Sequence, residues 1–157
     1  MRELILLRHA HAESALTGQA DFERPLSATG RDEAGAAGDW LRAHALQPGR
    51  VLCSPALRAR QTLDGLGPLE TADIRMEPTI YEATPGTLID LADAHRDAHP
   101  LLLVGHNPGL EQLVALLHSG RSGHYRGMPP GAIAVLEFAD SAAMEPGSAR
   151  LSWFWWP

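Results

Sequence analysis

A chain of 157 residues with 45% hydrophobic and 20% charged residues has the profile of an ordinary globular domain, expected to span 1–157 and large enough to bury a substantial core. Its formal net charge of −6 argues against general binding to nucleic acid or a membrane surface, since both need a cationic face. Cys53 is the only cysteine, which excludes an intramolecular disulfide and a thiolate metal cluster, and the short apolar run at Leu4–Leu7 is neither a signal peptide nor a membrane span, so a cytoplasmic location is expected.

In chain order, Leu4-Ile5-Leu6-Leu7 reads as a central strand that ends at Arg8-His9-Ala10-His11. Residues 12–23 show no period and read as a loop. A helix follows, capped either by Thr29 with Asp32 or by Ser27, and runs to about Leu46 with Ala34, Ala37, Leu41 and Ala45 at helical spacing. Arg50–Ser54 is a short strand. Ser54-Pro55 reads as an N-cap and first helical residue, opening a helix through about Leu66 with Arg58 in its first turn.

Ile74–Glu77 is a weaker strand and residues 79–83 a loop. Thr84-Pro85 repeats the cap-then-proline device and starts a helix to about Ala98. Leu101–Gly105 is a second aliphatic strand, ending at His106, and Asn107-Pro108 opens a helix with Leu110, Leu113, Val114 and Leu117 on one face. Residues 120–130 form a loop rich in glycine, proline and basic residues. Ala132–Phe138 and Ala149–Trp155 are joined through a turn near Pro146-Gly147 as an antiparallel edge hairpin. The expected fold is a three-layer α/β/α sandwich with a mostly parallel sheet.

Three of the strand-to-helix junctions deliver candidate functional residues: Arg8 and His9, Arg58, and His106. In an open α/β sheet such junctions share one rim, so these residues can converge there. Helices opening at Pro55 and Pro108 add free N–H groups and a partial positive charge. The result is an anion cradle on an acidic protein. Arginine offers a planar fork that suits phosphate, and neutral imidazole is a competent nucleophile. Guanidinium groups beside His9 would disfavour its charged form, and a backbone hydrogen bond on one ring nitrogen would leave the other facing phosphorus. Arg8, Arg58 and His106 would then hold the equatorial oxygens.

Leu6-Leu7-Arg8-His9-Ala10, Arg24-Pro25-Leu26-Ser27 with Gly30, Ser54-Pro55-x-x-Arg58-Ala59-x-Gln61-Thr62 and Val104-Gly105-His106-Asn107-Pro108 together resemble the histidine phosphatase superfamily. The short length and the Arg-His-Ala variant of the first motif, whose commoner third residue in the superfamily is glycine, resemble its SixA-type phosphohistidine phosphatases. The resemblance covers Leu4 to the final strand. It implies a phosphoglycerate mutase-like fold and a His9 that becomes phosphorylated. It also implies a phosphate pocket completed by Arg8, Arg58 and His106, with no metal or organic cofactor. Glu82 stands where many relatives place a general acid, a group that matters most for ester leaving groups. Larger members insert a substrate-covering segment, and here little separates Thr62 from Val104, so an open pocket suited to a phosphorylated protein side chain is implied.

Weighed singly, Arg8 reads as a strand-end charge, His9 as a core histidine and Arg58 as a solvated helix residue; four motifs in register favour the catalytic set. His9-Ala10-His11 also resembles paired metal ligands of amidohydrolase-type enzymes, but those sites need a larger barrel with further ligands, and His11 reads as a pocket-rim residue. His44, His95, His99, His118 and His124 read as surface histidines. Trp153, Phe154, Trp155 and Trp156 read as core and edge-strand packing, with a partner-binding patch as the alternative. The expected activity is a metal-independent phosphohydrolase acting through His9 on protein phosphohistidine. A small phosphate ester is the rival substrate, and a non-catalytic phosphate-binding module is the rival of another class. A monomer is expected.

Overall fold

The chain is described here by a computed structural model covering residues 1–70 and 73–157. Strand β1 (Arg2–Arg8) lies inside the sheet, parallel to β4 (Leu101–Gly105) on one side and antiparallel to β5 (Ile133–Phe138) on the other. Its aliphatic run is explained by that position, because a strand with neighbours on both edges and helices on both faces exposes no side chain to water. Leu4 and Leu6 pack into one apolar cluster with Leu88, Leu113 and Leu117, while Ile5 and Leu7 pack into a second with Ala37, Leu41 and Leu63. The period of two along the strand thus feeds two separate cores. Truncating a fully buried side chain such as Leu6 to alanine costs about 2–5 kcal/mol.

Among the described residues, strands β2 (Arg50–Cys53), β3 (Ile74–Met76) and β6 (Arg150–Trp155) complete one sheet in the order β3-β2-β4-β1-β5-β6. The β3–β2, β2–β4 and β4–β1 pairs are parallel, and the β1–β5 and β5–β6 pairs are antiparallel. Helices α1 (Ala28–Ala43) and α2 (Leu57–Gly65) cover one face, and α3 (Pro85–Ala94) and α4 (Gly109–Ser119) the other. The expected three layers, mostly parallel sheet and C-terminal edge hairpin are all present. Because β1, β2 and β4 are parallel, their C-terminal ends deliver Arg8 and His9, Ser54, and His106 to one rim.

Several boundaries differ from the sequence reading. Ser27, not Thr29, caps α1: its Oγ accepts from the Gly30 N–H at 3.0 Å. That glycine is required by space, since a Cβ there would stand 2.0 Å from the His11 carbonyl oxygen. α1 ends at Ala43 and α3 at Ala94, each earlier than the alanine-rich sequence suggests. α2 starts at Leu57 after Ala56, so Ser54-Pro55 is not its cap. Ser54 instead turns its fully buried hydroxyl toward His106. The loops at 12–23, 79–83 and 120–130 contain or abut single 3-10 turns at Asp21–Glu23, Pro78–Ile80 and Ser122–His124.

The C-terminal aromatics serve packing on both faces of the edge strand. Trp155 stacks on Trp40 at 5.6 Å between ring centroids, Trp153 meets Trp40 edge-on at 5.9 Å, and Phe154 and Trp156 pair with each other at 5.8 Å. Three of the histidines read as surface residues carry structural bonds. The Nδ1 of His44 pairs with the Trp40 carbonyl, that of His95 with Arg50, and that of His99 with the Glu3 N–H.

Candidate active site

His9 follows β1 directly, and its ring is buried at the rim. Its Nδ1 lies 2.7 Å from the Ala10 carbonyl oxygen, which can only accept, so Nδ1 carries the proton and Nε2 keeps its lone pair. The Ala10 N–H is in turn fixed by the Thr62 hydroxyl at 2.9 Å, and the His9 N–H by the Gly105 carbonyl at 3.0 Å. The imidazole therefore sits on a bonded frame that joins β1, β4 and α2. Burial, and then the charges of His106, Arg58 and Arg8, hold its pKa down at about 3. His9 is neutral at physiological pH.

Arg58, at the start of α2, donates from Nε to Nε2 of His9 at 3.3 Å. The opposite edge of its guanidinium is taken by Asp21: Nη1 donates to the Asp21 carbonyl at 2.7 Å and Nη2 to its carboxylate at 3.0 Å. Asp21 also accepts from the Tyr81 hydroxyl at 2.6 Å and from Arg24 at 2.9 Å. The Tyr81 hydroxyl, Arg24 and Arg58 together hold that carboxyl well below the usual carboxylate range. Tyr81 lies edge-on to His106 at 5.5 Å and to Phe22 at 5.2 Å, and under Arg58 at 5.9 Å. The long loop after β1 thus reaches the site and clamps one edge of the Arg58 fork while the other faces His9.

Arg8 donates from Nη1 to the Met128 carbonyl at 2.9 Å. The His106 ring is 5.1 Å from that of His9, with Nε2 held 2.7 Å from the Ser54 hydroxyl. Burial first, then the Arg58 charge, lowers the His106 pKa to about 4. Ser54 Oγ accepts from the Ala56 N–H at 3.3 Å, and among the described residues His106 Nε2 is the acceptor in reach of its fully buried proton, which puts the imidazole proton on Nδ1. Both Arg8 Nε and His106 Nδ1 are buried with no hydrogen-bond partner among the described residues. Buried donors are rarely left so. A tetrahedral oxyanion is the kind of group that would pair them.

A cavity of about 400 Å³ opens beside these residues, lined by Arg58, His106, Tyr81, Glu82, Asn107 and Gln112 among others. Glu82 is exposed on its rim, with a left-handed backbone at φ 59° that few non-glycine residues adopt. The segment carrying it presses against the start of α4, where a Cβ on Gly109 would come 2.5 Å from the Ala83 carbonyl oxygen. Asn107 Oδ1 accepts from the Glu111 N–H at 3.3 Å, so Asn107 caps α4 from one residue outside the turn that Pro108 begins.

The order of these elements along the chain matches a known pattern: residues 4–100 fit the model of the histidine phosphatase superfamily, branch 1. The chain belongs to the histidine phosphatase superfamily. Over 155 residues, 92% of this chain and 96% of the other, it is 42% identical to an uncharacterized protein of Mycobacterium tuberculosis. It is 30% identical to the phosphohistidine phosphatase SixA of Escherichia coli over 149 residues, 91% of this chain and 88% of that one. A structure assigned as the SixA phosphohistidine phosphatase of Nakamurella multipartitia superposes with a TM-score of 0.86 at 32% identity, covering 99% of this chain and 96% of that one. The six-stranded sheet with two helices on each face is the phosphoglycerate mutase-like fold of those SixA structures.

In this histidine phosphatase the predicted residues Arg8, His9, Arg58 and His106 come together, and Glu82 lines the same cavity as Arg58 and His106. His11 does not enter that cluster. Its Nδ1 lies 2.7 Å from Ser27 Oγ and its N–H bonds Glu33, so it ties the loop to the start of α1. Among the described residues, no three of His, Cys, Asp or Glu are grouped as metal ligands, and no helix is long and apolar enough to cross a membrane. Sequence reasoning missed Asp21, Tyr81 and Ser54. The only local signal for Asp21 was its spacing of three from Arg24.

Proposed function

We propose that this histidine phosphatase hydrolyses protein phosphohistidine, without a metal or organic cofactor, through a phosphohistidine intermediate on His9. One observation carries the reading: the unprotonated Nε2 of a buried neutral imidazole lies beside Arg58 and near His106, with the nitrogens Arg8 Nε and His106 Nδ1 left without partners. The His9 Nε2 lone pair attacks phosphorus as the bond from phosphorus to the substrate nitrogen breaks, and the departing imidazole keeps that electron pair and leaves neutral if its other nitrogen carries a proton. Arg8, Arg58 and His106 hold the three equatorial oxygens through the transfer, the electrostatic and positioning work that dominates such reactions. Water then attacks phosphorus, the His9 N–P bond breaks, and inorganic phosphate leaves as Nε2 regains its lone pair.

The cavity rim at Asp21 and Glu82 is exposed, which supports a phosphoryl group presented by a protein rather than an enclosed metabolite. The proposed enzyme acts as a cytoplasmic monomer. Ranking kcat/KM over phosphohistidine proteins and small phosphate esters tests the substrate class; phosphohistidine should lead by at least about tenfold, and parity with esters would overturn the ranking.

Glu82 favours a second reading, in which small phosphate esters are the substrates. A carboxylic acid at the cavity rim can protonate an alkoxide leaving group, which an imidazole leaving group does not need. Glu82→Gln should therefore lower kcat on an ester by about 10²-fold and leave phosphohistidine turnover within about twofold. Equal losses on both would assign Glu82 to neither leaving group in particular.

A further inference from the structure

The loop that closes the Arg8 side of the site is tied to the nucleophile strand. The Gly131 N–H donates to the carbonyls of Arg8 and His9, both at 3.2 Å. The Met128 carbonyl accepts from Arg8 and from Asn107, each at 2.9 Å. Two residues before Met128 stands Arg126, so at most about 7 Å of chain separates their Cα atoms. Arg121, His124, Tyr125 and Arg126 are all exposed on this loop, and the segment 118–131 contains no aspartate or glutamate. The Arg126 guanidinium has no carboxylate within ion-pair distance among the described residues, as is also true of Arg2, Arg8, Arg31, Arg60 and Arg121.

Behind the loop lies a second cavity of about 160 Å³ between α4 and β6, lined by Glu111, His118, His124, Tyr125, Arg126 and Phe154. The one carboxylate there, Glu111, accepts from Asn107 at 3.2 Å. On a chain of net charge −6, this is a cationic, aromatic-walled surface next to the phosphate pocket. The opposite rim, with Asp21 and Glu82, is acidic.

We infer that the Arg126 end of the Gly120–Pro130 loop is a docking surface for an acidic segment of the phosphorylated substrate protein, with Arg126 meeting its carboxylates beside Tyr125 and Phe154. The inference rests on the proposed phosphohistidine reading. A histidine side chain is short, so the protein that carries the phosphoryl group must lie on the rim when phosphorus reaches His9. Charge complementarity on such a rim raises the encounter rate and selects between partners, and salt screens it. It adds nothing for a substrate too small to reach the loop.

Three probes test this: free phosphohistidine, and two phosphohistidine dodecapeptides flanked by glutamates or by lysines. The unaltered protein should turn over the acidic peptide with kcat/KM about tenfold above the lysine peptide at low salt, with the gap closing as salt rises. The variant Arg126→Glu should abolish or invert that preference and leave free phosphohistidine within about twofold, while Arg126→Lys should keep it. Equal turnover of the two peptides, or a preference that survives charge reversal, overturns the docking inference alone. No turnover of any probe overturns the phosphohistidine reading and this inference with it.

Discussion

Asp21 and Arg58 meet end-on: the arginine gives Nη1 and Nη2 to one aspartate, by its carbonyl and its carboxylate, and keeps Nε for His9. A guanidinium has two usable bidentate edges, and a clamp on one fixes the aim of the other. Asp21→Ala frees the fork to rotate, and misplacement by about 1 Å costs on the order of 10²-fold in rate. We expect kcat to fall by about 10- to 100-fold, with KM changed less. Tyr81→Phe, which removes only one bond to the carboxylate, should cost about threefold to tenfold, in line with a net hydrogen-bond contribution of about 1 kcal/mol. Steady-state kinetics on both variants checks the order.

Ser54 holds His106 from behind. Its buried hydroxyl fixes Nε2 and so the tautomer in which Nδ1 carries the proton. Ser54→Ala leaves that nitrogen buried without a donor, at a cost of about 1–3 kcal/mol. Denaturant unfolding should show that loss with the slope unchanged. Activity should fall by about tenfold or more, because the donor to the phosphoryl oxygen is no longer oriented. An unaltered kcat with full loss of stability would make Ser54 purely structural.

Acid acts on the two buried imidazoles. The His9 pKa is about 3 and the His106 pKa about 4, against 6.5 for an ordinary histidine. The unfolded chain therefore binds protons, between about pH 4 and 6.5, that the native chain does not. Their contribution to stability is present above pH 6.5 and is lost as pH falls, each histidine adding a slope of up to about 1.4 kcal/mol per pH unit. Denaturation midpoints measured across this window should fall with pH, and His9→Asn should flatten the slope by about one proton. For the same reason kcat/KM should show no acid limb from His9 until pH falls toward 4. An enzyme titration near pH 6.5 would contradict the neutral, buried state of the nucleophile.

The catalytic cluster could be read from the sequence where each residue follows a strong local signal. Arg8, His9 and His106 end aliphatic runs, and an aliphatic run with no polar alternation leaves few positions for a strand to occupy but the middle of a parallel sheet. Arg58 follows from its place at the start of a helix. Asp21 and Tyr81 lie on loops with no period, and their meeting depends on how far the loop after β1 reaches back across the rim. Ser54 was legible as a residue but not in its role, since serine before proline serves a helix cap and a buried hydroxyl alike. The early end of α3 has a tertiary cause. Beyond Ala94, His95 and Asp97 bond Arg50 at the start of β2, and these contacts outweigh the helical preference of Ala98, the one alanine before Pro100.

The proposed activity turns on His9 Nε2 forming a bond to phosphorus. Rapid quench with a ³²P-labelled phosphohistidine substrate measures that bond directly. Label should appear on the protein within one turnover, be stable to base and labile to acid, map to His9, and be absent from His9→Ala. Turnover by the unaltered protein with no label on His9, or persistence of turnover in His9→Ala, would contradict it.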